Sequence, residues 1–84
     1  MERGEAEDRV CSVLATIINL PRESLPAGAS RDNVEAWDSL KHMYLMLALE
    51  EELGIEFSDT EVSDLGDVAS LADAVVAKTK GAAA

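Results

Sequence analysis

The sequence predicts an all-α fold, a four-helix bundle with three long helices, one short helix and a long first loop. Apolar residues recur along it at the i, i+3, i+4 and i+7 spacing that places side chains on one face of a helix. No strand-like alternation of useful length occurs. Because 84 residues provide for one small core, we expect a single domain over residues 1–84, ordered from about 5 to 78 with a frayed C-terminal tail.

The first helix is predicted over residues 5–20. Its apolar stripe consists of Val10, Val13, Leu14, Ile17 and Ile18. Acidic side chains in the first turn complement the positive end of the helix dipole, and Pro21 is expected to end the helix. These acids are Glu5, Glu7 and Asp8. Residues 21–37 lack any period and are rich in turn residues, which predicts a long loop held to the core by Leu25, Val34 and Trp37.

The second helix is predicted to begin with Asp38 or Ser39 as its cap and to end at Gly54. One stripe is expected to face the core, formed by His42, Leu45, Leu49 and Leu53. A second apolar set lies to one side, formed by Leu40, Met43, Tyr44 and Leu47. Because a two-faced helix cannot bury both sets, part of the second set is expected to be exposed as a surface for partners.

The third helix is short and begins at the capping box Ser58-Asp59-Thr60-Glu61, ending near Leu65 before Gly66. Asp67 is expected to cap a fourth helix that ends near Lys78 and Lys80. Its apolar face comprises Val68, Leu71, Ala72, Val75 and Val76. Gly81 and the three terminal alanines are expected to fray. The predicted core consists of Val13, Leu14, Ile17, Leu45, Leu49, Phe57, Leu71 and Val75.

The chain is acidic, with a net charge of −10. This charge repels nucleic acid and anionic membrane surfaces, so neither is expected as a partner. Residues 38–67 hold nine acids and one base, a net charge of −8, while the rest of the chain is nearly balanced. Such a segment is either a solvated helix face or a docking surface for basic partners, and composition does not decide between them.

Residue counts exclude several kinds of site. One cysteine and one histidine cannot form an internal disulfide or a four-ligand zinc site, and no metal site is expected. The longest apolar run has seven residues, whereas a membrane-spanning helix needs about 20, and the N-terminus lacks a secretory pattern. We therefore expect a cytoplasmic protein that does not enter a membrane.

Ser39 is the candidate functional residue. Asp38, Ser39 and His42 superficially offer a hydrolytic triad, but neighbouring helical residues point in the wrong mutual directions and no catalytic residue is expected. A hydroxyl at a helix start after a loop can instead accept a phosphate ester, which the positive end of the helix dipole would stabilise. The alternative is an ordinary Ser or Asp helix cap.

The motif Asp38-Ser39-Leu40, the run Leu45–Phe57 that follows at fixed spacing, and the closing amphipathic helix together resemble the acyl carrier proteins. The resemblance spans nearly the whole chain. It implies a four-helix bundle of acyl-carrier type that is not an enzyme. It also implies that a phosphopantetheinyl transferase, using magnesium, attaches 4′-phosphopantetheine from coenzyme A to Ser39, with Asp38 as part of the motif. Acyl groups would be held as thioesters on this arm.

The resemblance also implies that the second helix is the main recognition element for partner enzymes. The resemblance places the partner-facing acids at Asp38, Glu50 and Glu51, with Leu40 and Met43 as apolar contacts beside the arm. Together with the rest of the second apolar set, the residues expected to bind partners are Leu40, Met43, Tyr44, Leu47, Glu50 and Glu51. The expected partners are the transferase, an acyl- or aminoacyl-loading ligase or transferase, and synthase enzymes with basic docking surfaces, all acting on a monomer. Lys41 and Tyr44 stand where fatty-acid carriers often place acids, and Trp37 and His42 flank the motif as in some free-standing carriers outside primary fatty-acid synthesis.

Three functions stay open at this point. The first is a carrier of acyl intermediates for fatty-acid, polyketide or related specialised biosynthesis. The second is an aminoacyl or peptidyl carrier, loaded on the same Ser39 by an adenylating enzyme. The third is an unmodified acidic interaction module, which would bind a basic partner without using Ser39 and with strong dependence on salt.

Overall fold

The computed structural model describes the backbone of residues 1–83 and the side chains of residues 1–79. Four α-helices occur in this part of the chain: α1 (Arg3–Ile18), α2 (Ser39–Leu53), α3 (Asp59–Asp64) and α4 (Val68–Ala83). A single 3₁₀ turn, Arg22–Ser24, lies in the loop between α1 and α2. The described backbone forms no strand, only one isolated bridge between Ser30 and Asp67. The predicted all-α fold with three long helices and one short helix is confirmed.

The predicted bounds of α1 were wrong by two residues at each end. Asn19 adopts the left-handed conformation, with a φ of 58°, and its N–H bonds back to the last turn, so the helix ends before Pro21. Because α1 begins earlier than expected, Glu5 alone of the three predicted acids lies in the first turn. Glu7 instead pairs with Arg3, and Asp8 pairs with Arg22 in the following loop.

α1 packs against both α2 and α4, and the apolar core lies between these helices. Five of the eight predicted core residues are completely buried, namely Leu14, Leu45, Leu49, Leu71 and Val75. The prediction was wrong for Val13, Ile17 and Phe57, which are half-buried at the edge of the core. Met46, which the predicted stripe omitted, is 2% exposed, because α2 buries a wider face than a single row of side chains.

The loop between α1 and α2 is attached to the bundle by side chains and by backbone. Val34 and Trp37 are buried and Leu25 is half-buried, which confirms all three as the residues that hold the loop. In addition, the Arg31 N–H donates to the Gly66 carbonyl, and the Val68 N–H donates to the Ala29 carbonyl. These bonds join the middle of the loop to the connection between α3 and α4.

The caps of α3 and α4 are those that the sequence predicted. The Ser58 hydroxyl accepts from the Glu61 N–H at 3.1 Å and the Glu61 carboxylate accepts from the Ser58 N–H at 2.9 Å, which completes the capping box. The Asp67 carboxylate accepts from the Ser70 N–H at 2.6 Å, and this bond lowers its pKa. α4 continues to Ala83, beyond its predicted end near Lys80. Fraying of the tail stays a prediction, since Ala84 and the side chains after residue 79 lie outside the described part.

Gly54 ends α2 in the left-handed region, with a φ of 65° and open space where a side chain would project. We expect Gly54→Ala to lower the free energy of unfolding by about 1 kcal/mol, because only the backbone conformation opposes a methyl group there. Gly4→Ala is the matched control, since Gly4 also has open space but lies within α1, and it should stabilise by about 0.5–1 kcal/mol. Urea unfolding measures both. Equal effects of the two substitutions would contradict the prediction.

Candidate functional site

Ser39 is the first residue of α2, and its side chain is exposed. The helix is capped by the preceding residue, because the Asp38 carboxylate accepts from the Lys41 N–H at 2.9 Å. Of the two capping residues that the sequence allowed, the structure therefore uses Asp38. As a result, the Ser39 hydroxyl is not needed as a hydrogen-bond acceptor for the helix N-terminus. It faces solvent beside the positive end of the helix dipole.

The Ser39 hydroxyl has one protein partner among the described side chains. A terminal nitrogen of Arg31, Nη2, donates to Ser39 Oγ at 2.9 Å. Arg31 is half-buried, and its side chain lies along Gly66, with Cδ 3.6 Å from where a Cβ at that position would stand. Sequence reasoning missed this residue, although Arg31 is the only base between Arg22 and Lys41 and this isolation could have drawn attention to it.

Trp37 and His42, which flank Ser39 in the sequence, form a buried polar contact with each other. The Trp37 indole N–H donates to His42 Nδ1 at 3.1 Å. Because an indole nitrogen can only donate, Nδ1 is the unprotonated nitrogen of the imidazole and the proton resides on Nε2, which donates to the Val62 carbonyl at 2.7 Å. The pair therefore joins the end of the first loop to α2 and α3.

The environment of His42 favours its neutral form. The side chain is 3% exposed, as predicted for the core stripe of α2. Burial lowers its pKa from the ordinary value of 6.5, and the nearby positive charge of Arg31 lowers it further, against the opposing effect of the Val62 bond. With both ring nitrogens bonded away from Ser39, His42 is not placed to act as a base on that hydroxyl.

All four residues of the second apolar set of α2 lie on the surface and are about half exposed. Its four members are between 49% and 57% exposed, namely Leu40, Met43, Tyr44 and Leu47. Their spacing places them on one face of α2, and exposed Glu51 continues this face toward the C-terminal end. We call Leu40, Met43, Tyr44, Leu47 and Glu51 the exposed α2 face.

Glu50, which the resemblance implied to be a partner contact, is held differently from Glu51. It is half-buried, and its Oε2 accepts from the Phe57 N–H at 2.8 Å. This bond fixes the connection between α2 and α3. Glu50 therefore has a structural partner within the chain, whereas Glu51 is exposed.

No group of three or more His, Cys, Asp or Glu side chains in the described part of the chain is arranged to hold a metal ion. Within the same part, no helix combines the length and apolar character needed to cross a bilayer. The chemistry that the site supports is thus that of one accessible hydroxyl. A helical domain that presents such a hydroxyl next to a displayed helix face fits the class of small carrier domains, which are modified by other enzymes.

Comparison with known proteins agrees with this class. The profile of a family described as "Phosphopantetheine attachment site" matches residues 8–75. The chain is 30% identical over 82 residues to acyl carrier protein 1, chloroplastic, from Casuarina glauca, covering 94% of this chain and 60% of the relative. It is 31% identical over 74 residues to an acyl carrier protein of Thermosynechococcus vestitus, covering 87% of this chain and 90% of the relative.

The chain belongs to the acyl carrier protein family, whose members are carriers rather than enzymes and hold phosphopantetheine. It spans about 60% of the length of the chloroplast relative. Proteins of this family generally interact with transferases and synthases.

Proposed function

We propose that Ser39 is the residue that carries the 4′-phosphopantetheine arm. The observation that supports this most directly is that Asp38 caps α2, which leaves the adjacent hydroxyl exposed and unused by the helix. The surroundings also suit a phosphodiester, because the helix dipole and the Arg31 guanidinium both favour a negative charge at this point. When bound, the group supplies a terminal thiol that holds acyl cargo as a thioester.

The proposed cargo is an acyl intermediate of fatty-acid, polyketide or related specialised biosynthesis. Two curated relatives that cover most of this chain are both named as acyl carrier proteins, which favours acyl groups over amino acids. An aminoacyl or peptidyl carrier would use the same Ser39. A loading assay that offers holo protein both to an amino-acid adenylating enzyme and to acyl or malonyl donors distinguishes the two. Preferential loading with amino acids would overturn this proposal.

Attachment is tested by intact mass spectrometry. After incubation with coenzyme A, magnesium and a broad-specificity phosphopantetheinyl transferase, we expect the wild-type chain to gain the mass of one phosphopantetheine group. Ser39→Ala should gain none. Ser63→Ala is the matched control, because Ser63 is also an exposed helical serine, and it should be modified like the wild type. A mass gain on Ser39→Ala equal to that of the wild type would refute the assignment.

We further propose that the exposed α2 face binds the partner enzymes, by apolar contact and by charge. Its four apolar residues are about half exposed, and such side chains are stable in contact with an apolar patch on a partner. Acidic residues of the segment 38–67 would steer a partner with Lys and Arg at its docking surface. Glu50 would contribute charge from the rim of this surface while it keeps its bond to Phe57.

Leu47→Asp is expected to weaken modification by the transferase about tenfold in kcat/KM, because it places an unpaired carboxylate in the apolar contact. Leu20→Asp is the control, since Leu20 is 41% exposed in the loop after α1. Steady-state kinetics at several salt concentrations measures both the apolar and the charged contribution. An equal loss in the two variants would exclude the exposed α2 face as the docking surface.

If Ser39→Ala, which cannot carry the arm, binds the partner enzymes as tightly as the wild type, the protein would instead be an unmodified interaction module.

A further inference from the structure

We propose that Arg31 binds the phosphodiester of the attached arm and so fixes the first segment of the arm against the protein. The proposal rests on the proposed function, in which Ser39 carries that arm. Arg31 Nη2 lies 2.9 Å from Ser39 Oγ, the atom that would become an ester oxygen of the phosphodiester. The non-bridging phosphate oxygens would then lie within reach of the same guanidinium, which offers several donors in a planar arrangement suited to phosphate.

The charge of Arg31 is available for such a ligand. The other three arginines each form an ion pair with Asp or Glu. Among the side chains that the structure describes, none provides a carboxylate partner for Arg31, which donates to a neutral hydroxyl instead. In a chain with a net charge of −10, the described side chains thus leave the Arg31 guanidinium without an ion pair beside Ser39, although Asp32, Glu35 and Asp38 line the same cavity. A phosphodiester carries the single negative charge that would complete the pair.

The position of Arg31 is set by the fold rather than by the site itself. Its N–H donates to the Gly66 carbonyl at 2.9 Å, and the neighbouring Ser30 forms an isolated bridge with Asp67. The side chain packs along Gly66, with Cδ and Cγ at 3.6 Å and 3.9 Å from where a Cβ at that position would stand. Because Arg31 is already in place before modification, it would bind the phosphodiester with little loss of side-chain freedom.

The experiment measures the Tm of the apo and the holo form of each protein by thermal unfolding, after mass spectrometry has confirmed that the holo form is completely modified. The quantity compared is the rise in Tm on modification, in wild type, Arg31→Gln, Arg31→Lys and Arg9→Gln. We expect the rise to be about 3 °C smaller in Arg31→Gln than in wild type, because only the charged contact is removed while the helix dipole is unchanged. In Arg31→Lys the rise in Tm should be reduced by about half as much as in Arg31→Gln, since a lysine binds phosphate by charge but lacks the planar arrangement of donors.

Arg9→Gln is the matched control, because Arg9 is an arginine whose ion pair is with Glu52, and it should behave like the wild type. At about 0.5 M NaCl the difference between wild type and Arg31→Gln should shrink, as expected for a partly exposed ionic contact. If the transferase does not modify Arg31→Gln, Arg31→Lys is compared with wild type instead. A rise in Tm for Arg31→Lys as large as that of wild type then overturns the proposal.

Attachment at Ser39 and phosphodiester binding by Arg31 are contradicted by different results. No mass gain on the wild-type chain would overturn both the attachment at Ser39 and the role of Arg31. Complete modification of all four proteins with an equal rise in Tm would overturn the role of Arg31 alone. Slower modification of Arg31→Gln together with an unchanged rise in Tm would also overturn it, and would assign Arg31 to contact with the transferase.

Discussion

Replacement of Trp37 by alanine is expected to lower the free energy of unfolding by about 3–5 kcal/mol. Trp37 is 1% exposed and is the largest side chain that is fully buried, so its removal leaves a large cavity between the first loop and α2. The substitution also removes the donor to His42 Nδ1. Because a domain of this size is stable by roughly 4–13 kcal/mol, a loss of this magnitude removes at least about a quarter of its stability and, at the lower end of that range, nearly all of it.

Urea unfolding followed by far-UV circular dichroism measures this effect without relying on tryptophan fluorescence. Trp37→Phe should cost less, about 1–3 kcal/mol, because most of the ring is kept while the buried His42 nitrogen loses its partner. Tyr44→Ala is the control for loss of an aromatic side chain at the surface, since Tyr44 is 49% exposed, and it should change stability by no more than about 0.5 kcal/mol. A cost below about 1 kcal/mol for Trp37→Ala would mean that this residue does not hold the loop to the core.

The second helix could be predicted almost to the residue, because its limits depend on local chemistry. The sequence placed the cap at Asp38 or Ser39 and the end at Gly54, and in the structure Asp38 caps the helix and a left-handed Gly54 ends it. The display of its second apolar set also follows from local sequence, since seven consecutive apolar residues cannot all face one core. The predicted end of α1 at Pro21 was wrong, because the left-handed conformation of Asn19 ends the helix two residues earlier.

The remainder of the site depends on contacts between residues far apart in the chain. Arg31 reaches Ser39 because the loop is bonded to Gly66, and no local pattern encodes that pairing. The bond between Glu50 and the Phe57 N–H likewise depends on how the chain turns between α2 and α3. From sequence, Glu50 and Glu51 were equivalent acids on one helix. In the structure only Glu51 is exposed, and the role of both in docking stays a prediction.

Removal of the His42 side chain is expected to be nearly as costly as removal of Trp37. His42→Ala would deprive the buried Trp37 indole N–H and the part-buried Val62 carbonyl of their partner, and would open a cavity between α2, α3 and Trp37. We expect a loss of about 3 kcal/mol in the free energy of unfolding, measured by urea unfolding at pH 7.5. The double variant Trp37→Ala with His42→Ala should cost less than the sum of the single losses, because both remove the same hydrogen bond. Strict additivity would contradict a shared contact.

His42 should also make the fold sensitive to mild acid. Since burial lowers its pKa in the folded protein below 6.5, the unfolded chain binds the proton first as the pH falls. Stability should therefore be fully present above about pH 6.5, decrease below it by about 1.4 kcal/mol for each unit by which the pKa is lowered, and stop decreasing below the folded-state pKa.

The pH range from about 6.5 to 5 isolates this effect. His42 is the only histidine, and the pKa values of Glu61 and Asp67 are lowered from 4.5 and 3.8, so the stability that those carboxylates provide is lost only in stronger acid. Urea unfolding at intervals between pH 7.5 and 5 should give a slope for wild type that is absent in His42→Gln, which has a neutral side chain of similar reach. Equal slopes in the two proteins would place the titrating group elsewhere.

Protonation of His42 also has a local structural effect, because a proton on Nδ1 removes the acceptor for the Trp37 N–H. Mild acid should therefore first loosen the end of the loop next to Ser39.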